Sequence, residues 1–195
     1  ILWQLALVVR KKDKAAEQGA CLRLLDLGAG RLDLRREAAE RLFEFNMERR
    51  ARSELQSVAE AYLENKEPAK ANEIYRSLLR RYPEADEYHI ALAEVLEKTG
   101  QGARAIERRL VLHEIYRKSD RPVEMVANLK AALQIDPEQA NLHRILGEVL
   151  VDLGNYREAV EHLLLAAGAA MQEQDRLTVV QCYRQVIGID ESHLE

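Results

Sequence analysis

The chain has 195 residues, enough to bury a continuous core, and carries a net charge of −4 with a pI near 5.8. That balance argues against a nucleic-acid partner, which needs a basic field to displace phosphate counterions. Aromatics are only 5% of the residues and β-branched residues never gather into alternating runs, so the composition points to helix and offers no strand.

The first element is the apolar stretch from Ile1 to Val9, closed by Arg10-Lys11-Lys12. It falls short of the roughly 20 apolar residues that a membrane span needs, and it has neither a preceding basic region nor a small-residue cleavage site, so no membrane insertion is expected. It reads as a core helix cut at its start and, with no initiator Met, the chain reads as a segment of a longer protein. Cys21 comes next, far from its only counterpart, Cys182. With no CxxC pair and no histidine at ligand spacing, both read as apolar packing residues in a reducing, cytoplasmic compartment. The turn Leu27-Gly28-Ala29-Gly30-Arg31 carries part of a nucleotide-binding glycine loop, but it follows a helix and lacks the third glycine. It reads as a connection between helices.

Beyond that turn the chain repeats. Its prolines fall in two pairs, Pro68 with Pro122 and Pro83 with Pro137, each 54 residues apart. The same step aligns Ala51, Ala105 and Ala159; Ala39, Ala93 and Gly147; Tyr75, Leu129 and Tyr183; and Leu79, Leu133 and Ile187. Three repeats follow, 32–85, 86–139 and 140–193, preceded at 1–31 by part of a fourth, all forming one domain over 1–195.

Breakers cut each repeat into three helices, which in the second run over roughly 87–99, 103–118 and 122–135. Gly100 and Gly154 suit the left-handed position that ends a helix, and Pro68 and Pro122 suit a first helical turn. Pro83 and Pro137 stop the helix before them, because the residue preceding a proline avoids the α region.

With these positions in place, the sequence resembles the tetratricopeptide repeat, a helical hairpin of about 34 residues. In Ala140 to Glu173, Leu146, Gly147, Leu150, Gly154, Tyr156, Ala159 and Ala166 occupy the family's large and small positions. Arg52 to Ala85 matches through Ala59, Tyr62, Ala71, Tyr75 and Pro83, and Ile106 to Gln139 through Tyr116, Ala132 and Pro137. The resemblance implies an all-α fold, an α-solenoid of helical hairpins wound as a right-handed superhelix. The chain departs from a plain array, because the helix 103–118 serves as second helix of one match and first helix of the next.

Candidate chemistry is sparse. His89 and His143 are 54 apart and so mark a repeat position, and His113, His162 and His193 form no metal-ligand spacing. No nucleophile elbow occurs, so the chain reads as a non-enzyme without cofactor or metal. The basic run Arg49-Arg50-Ala51-Arg52 reads as a solvated helix end.

The resemblance places the ninth residue of each first helix on the concave groove. Here these residues are Glu60, Glu94, Glu114 and Glu148, with Glu40 one period before Glu94. Chaperone-binding members of the family hold a C-terminal carboxylate with Asn, Lys and Arg on this wall; glutamate in place of the key Asn argues against that activity.

The reading is a bacterial-type adaptor or scaffold that binds a peptide or helix of another protein, with a basic segment as the expected partner. Two alternatives stay open: a regulatory repeat arm of a larger enzyme or signalling protein, and self-association through the repeat ends.

Overall fold

The computed structural model describes residues 14–27 and 30–193, so the readings made on residues 1–13 and on Gly28 and Ala29 lie outside the described residues. Described residues form α1 (Lys14–Leu27), α2 (Leu32–Leu42), a 3₁₀ turn (Phe43–Phe45), α3 (Glu48–Glu64), α4 (Pro68–Arg81) and α5 (Asp86–Lys98). There follow α6 (Gly102–Lys118), α7 (Pro122–Ile135), α8 (Ala140–Asp152), α9 (Tyr156–Gln172) and α10 (Arg176–His193), and no strand occurs among the described residues.

Helix positions recur with the sequence step. Helices α2, α5 and α8 begin at 32, 86 and 140; α3, α6 and α9 span 48–64, 102–118 and 156–172; α4, α7 and α10 begin at 68, 122 and 176. Turn geometry recurs as well. Between the first and second helix of each repeat, Asn46, Gly100 and Gly154 take φ of 57°, 72° and 72°. Between the second and third, Lys66, Asp120 and Gln174 take 60°, 51° and 62°. These left-handed residues let the next backbone N–H reach back to the helix just ended, as when Gln101 N bonds Leu96 O at 2.9 Å and Asn155 N bonds Leu150 O at 2.9 Å. Asparagine tolerates this conformation better than other side-chain-bearing residues, so Asn46 stands where the later repeats use glycine.

The chain divides into two compact lobes, one ending at Tyr88 and the other beginning at His89, so that the division falls inside α5. In the first lobe α1 packs on α2, α2 on α3 and α3 on α4; in the second α6 packs on α7, α7 on α8, α8 on α9 and α9 on α10. Within each lobe, connections this short make the packed neighbours antiparallel hairpins.

Small residues set the approach of the helices. Ala51, Ala105 and Ala159 are each 0% exposed. At Gly147 a β-carbon would lie 2.7 Å from Leu163 Cγ and 3.3 Å from the Ala159 carbonyl, so α8 and α9 approach closely where only a hydrogen fits. Leu129, Leu142, Leu146 and Leu163 fill the second lobe's core around that contact.

Candidate functional site

An acidic cleft of about 390 Å³ opens between α8 and α10 in the second lobe. Its walls carry Glu148 and Asp152 from the end of α8, Tyr156 at the start of α9, and Gln185, Gly188 and Ile189 from α10. Helical spacing explains the set: Glu148 and Asp152 lie one turn apart on one face of α8, as Gln185 and Ile189 do on α10. Glu148 is held in place, since Arg144 Nη1 donates to its Oε1 at 2.5 Å and Gln185 Nε2 donates to the same atom at 3.3 Å.

The other expected glutamates are distributed between the lobes. Glu40 and Glu60 belong to the first lobe, and Glu94, Glu114 and Glu148 to the second. Arg36 donates to Glu40 at 3.1 Å, one turn earlier on α2, as Arg144 does to Glu148 on α8. Arg117 donates to Glu114 at 3.0 and 2.7 Å, and this hydrogen bonding holds the Glu114 carboxyl below its usual range. Glu60 and Glu94 are exposed. In the second repeat Ile90 occupies the position of Arg36 and Arg144, so Glu94 lacks the arginine that its counterparts have. Glu114 and Glu148 both act on the buried His113, whose imidazole is nonetheless pushed below its usual range by burial.

A cross-helix polar pair recurs at one position in each repeat, joining residues 19 apart. In the first repeat Arg35 Nη2 donates to Glu54 Oε2 at 3.0 Å; in the second Arg108 Nη1 lies 3.5 Å from His89 Nδ1; in the third His143 Nδ1 lies 2.9 Å from His162 Nδ1. The last pair is protonation-sensitive. His143 Nε2 lies 2.9 Å from the Pro137 carbonyl, which only accepts, so Nε2 carries a proton; between the two Nδ1 atoms there is room for one more. Burial first, and then the facing His143, lower the affinity of His162 for a second proton; Lys130 of α7 acts in the same sense, while Glu158 and Glu161 of α9 oppose it.

With the His162 and His113 pKa values below 6.5 in the folded chain, the unfolded chain binds more protons in that window. Stability should therefore be complete above about pH 6.5 and fall as the pH drops through the folded values. Urea midpoints measured from about pH 8 to about pH 5 should show this decline. The double variant His143→Arg, His162→Glu, which installs the first repeat's pair, should make the decline shallower and leave the part due to His113; an unchanged profile would mean that His162 contributes nothing to it.

Sequence reasoning marked His89 and His143 as a repeat position but missed their partners, although Glu54, Arg108 and His162 are themselves spaced by 54. It also missed a polar cluster in the second repeat. Arg109, 8% exposed, donates through Nε and Nη2 to Glu97 Oε1 at 2.9 and 2.6 Å, and Asn128 Nδ2 donates to the Arg109 carbonyl at 2.7 Å. The repeat columns hold the signal: Leu55 and Leu163 flank Arg109, and Ile74 and Cys182 flank Asn128. Among the described residues no cluster of three or more His, Cys, Asp and Glu side chains could hold a metal, and no helix is long and apolar enough to cross a membrane.

A tetratricopeptide repeat family profile matches residues 52–95, which span most of α3, all of α4 and the greater part of α5. No curated protein matches the chain. Among solved structures, the thermophilic repeat protein TTC0263 of Thermus thermophilus is similar at 22% identity, over 87% of this chain and 98% of its own, with a TM-score of 0.35. The Sgt2 repeat domain of Aspergillus fumigatus is similar at 20% identity, over 73% and 83%, with a TM-score of 0.30. YrrB, described as a repeat protein with an unusual peptide-binding site, is similar at 14% identity, over 72% and 87%, with a TM-score of 0.30. The family match is thus confined to residues 52–95, and the remaining described helices recur around that segment at a 54-residue step.

Proposed function

We propose that the chain is a non-catalytic adaptor whose helical repeats hold a peptide or helix of a partner protein, and that the partner segment is basic. The family's general role in protein interaction supports the adaptor reading. The observation that carries the finer statement is the acidic cleft of Glu148 and Asp152, together with the exposed Glu94 that no arginine on its own helix neutralises. Exposed carboxylates contribute little one at a time, about 0.2–1 kcal/mol each, so their effect is a summed field acting on association rate.

Because Arg144 and Gln185 hold Glu148, the cleaner charge reversal is Glu94→Lys with Asp152→Lys, both at exposed positions. Association of a partner recovered by affinity purification should slow about tenfold at low salt, and the difference should shrink as salt rises. If the double variant associates at the unaltered rate in low salt, Glu94 and Asp152 are only part of a solvated helix face.

A second reading, self-association, is favoured by one column. Tyr75 and Leu129 are 4% and 0% exposed, whereas Tyr183, the equivalent residue on α10, is 44% exposed beside Ile187 at 55%. A second copy covering that face would bury both. Light scattering against concentration should then show dimer that Tyr183→Glu dissociates; a monomer at all concentrations removes this reading.

A further inference from the structure

The second repeat contains a slot of about 210 Å³ in the second lobe, walled by Ile90 of α5, Arg109, Leu112 and Tyr116 of α6, and Glu124, Ala127 and Asn128 of α7. The first repeat closes the same place. Where the slot has Ile90 and Ala127, it has Arg36 and Glu73, joined by a 2.8 Å ion pair that bridges α2 and α4. The third repeat has Arg144 and Gln181 at these positions. Only in the second repeat are both polar side chains replaced by apolar ones, one large and one small.

Two further features distinguish the slot. Glu94 lies one turn beyond Ile90 on the same face of α5; it is exposed, and the ion pairs that Glu40 and Glu148 make with Arg36 and Arg144 have no counterpart there. Asn128 is 5% exposed, sits where the other repeats have Ile74 and Cys182, and has an Oδ1 without a hydrogen-bond partner. A buried unsatisfied amide oxygen is costly, and a small rotation of the side chain would let it accept from an N–H of an occupant.

We infer that this slot is the anchor site for a partner segment that presents one large apolar side chain next to a lysine or arginine. The apolar side chain enters between Ile90, Leu112 and Tyr116, its main-chain amide meets Asn128, and the neighbouring cation meets Glu94. This deepens the adaptor reading, on which it rests, by adding to the acidic cleft of the third repeat an anchoring contact in the second. The volume suits a single leucine, methionine or phenylalanine side chain. The slot therefore fixes the register of the segment, and the glutamate fixes which neighbour is accepted.

The test uses three blocked dipeptides as probes, N-acetyl-leucyl-lysine amide, N-acetyl-leucyl-glutamate amide and N-acetyl-alanyl-lysine amide, titrated into the ¹⁵N-labelled chain. Leucyl-lysine should shift the amides of Ile90, Leu112, Tyr116 and Ala127 and bind about tenfold tighter than alanyl-lysine, from the extra apolar surface buried. It should also bind a few-fold tighter than leucyl-glutamate, and Glu94→Gln should abolish that preference while leaving the leucine anchored. Ile90→Arg, which installs the residue of the first and third repeats, should close the slot and remove binding. Ala127→Gln, at an exposed position, should weaken binding with no risk to the core. Leucyl-lysine binding unaffected by Ile90→Arg and Ala127→Gln overturns the inference. So do shifts confined to Tyr156, Gln185 and Gly188, which would leave the acidic-cleft reading standing. Absence of any shift overturns the slot while the rate test with Glu94→Lys and Asp152→Lys still decides the adaptor reading.

Discussion

Ala159→Glu should lower the stability of the second lobe by about 3–5 kcal/mol, and Ala105→Glu should do the same for the helix pairing around α6. Both alanines are completely buried. At Ala159 the neighbouring helix α8 comes so close that Gly147 opposite has no space for a β-carbon, and the Leu163 side chain fills what remains. A glutamate side chain would have to push α8 and α9 apart or turn its carboxylate into the apolar cluster of Leu142, Leu146 and Leu163. Either route loses close packing, and the second adds an unpaired buried charge. Lys98→Glu, at an exposed helix end, is the control and should stay within about 0.5 kcal/mol. Urea denaturation of the three variants measures the difference. Equal midpoints for Ala159→Glu and Lys98→Glu would mean that the small-residue column does not set the helix approach.

That column was legible in the sequence because its requirement is steric and local. A position that admits only alanine or glycine keeps its size in every repeat, so Ala51, Ala105 and Ala159 align without knowledge of what faces them. The same holds for breakers. Gly100 and Gly154 were readable as left-handed residues from their type alone, while Asn46, their equivalent at φ 57°, was not, because asparagine is also common in helix caps and turns of other geometry. Helix starts at Asp86 and Gly102 precede the expected 87 and 103 by one residue, within the normal ambiguity of a helix end.

The polar contacts were less legible, because each joins residues whose pairing depends on how two helices are rotated about their axes. Glu148 could be placed on a face of its helix by period, but that Arg144 and Gln185 would hold it required the structure. The glutamate positions were likewise readable as a series, whereas their neutralisation was not: Arg36 and Arg144 shield two of them, Arg117 shields Glu114, and Ile90 leaves Glu94 alone. The sequence-level expectation of a uniform acidic series thus becomes, residue by residue, a few carboxylates available to a partner and several already engaged.

The second large effect concerns Arg109. Truncating its partner with Glu97→Ala should cost about 2–4 kcal/mol, the upper end being limited by the 30% exposure of the Glu97 side chain, which lets water replace part of the lost interaction. Replacing the whole cluster should behave differently. Glu97→Val, Arg109→Leu and Asn128→Ile together install residues that the first or third repeat already carries at these positions. The triple variant should match the unaltered chain within about 1 kcal/mol or exceed it, since apolar side chains of suitable size recover the desolvation of the charges and remove the unpaired Asn128 Oδ1. Urea midpoints of the single and triple variants decide the matter; a triple variant as unstable as Glu97→Ala would show that the cluster is a net source of stability. If the triple variant is stable, the second repeat holds a costly polar cluster that its neighbours do without, and retention of that cluster beside the Ile90 slot is then accounted for by what the slot binds.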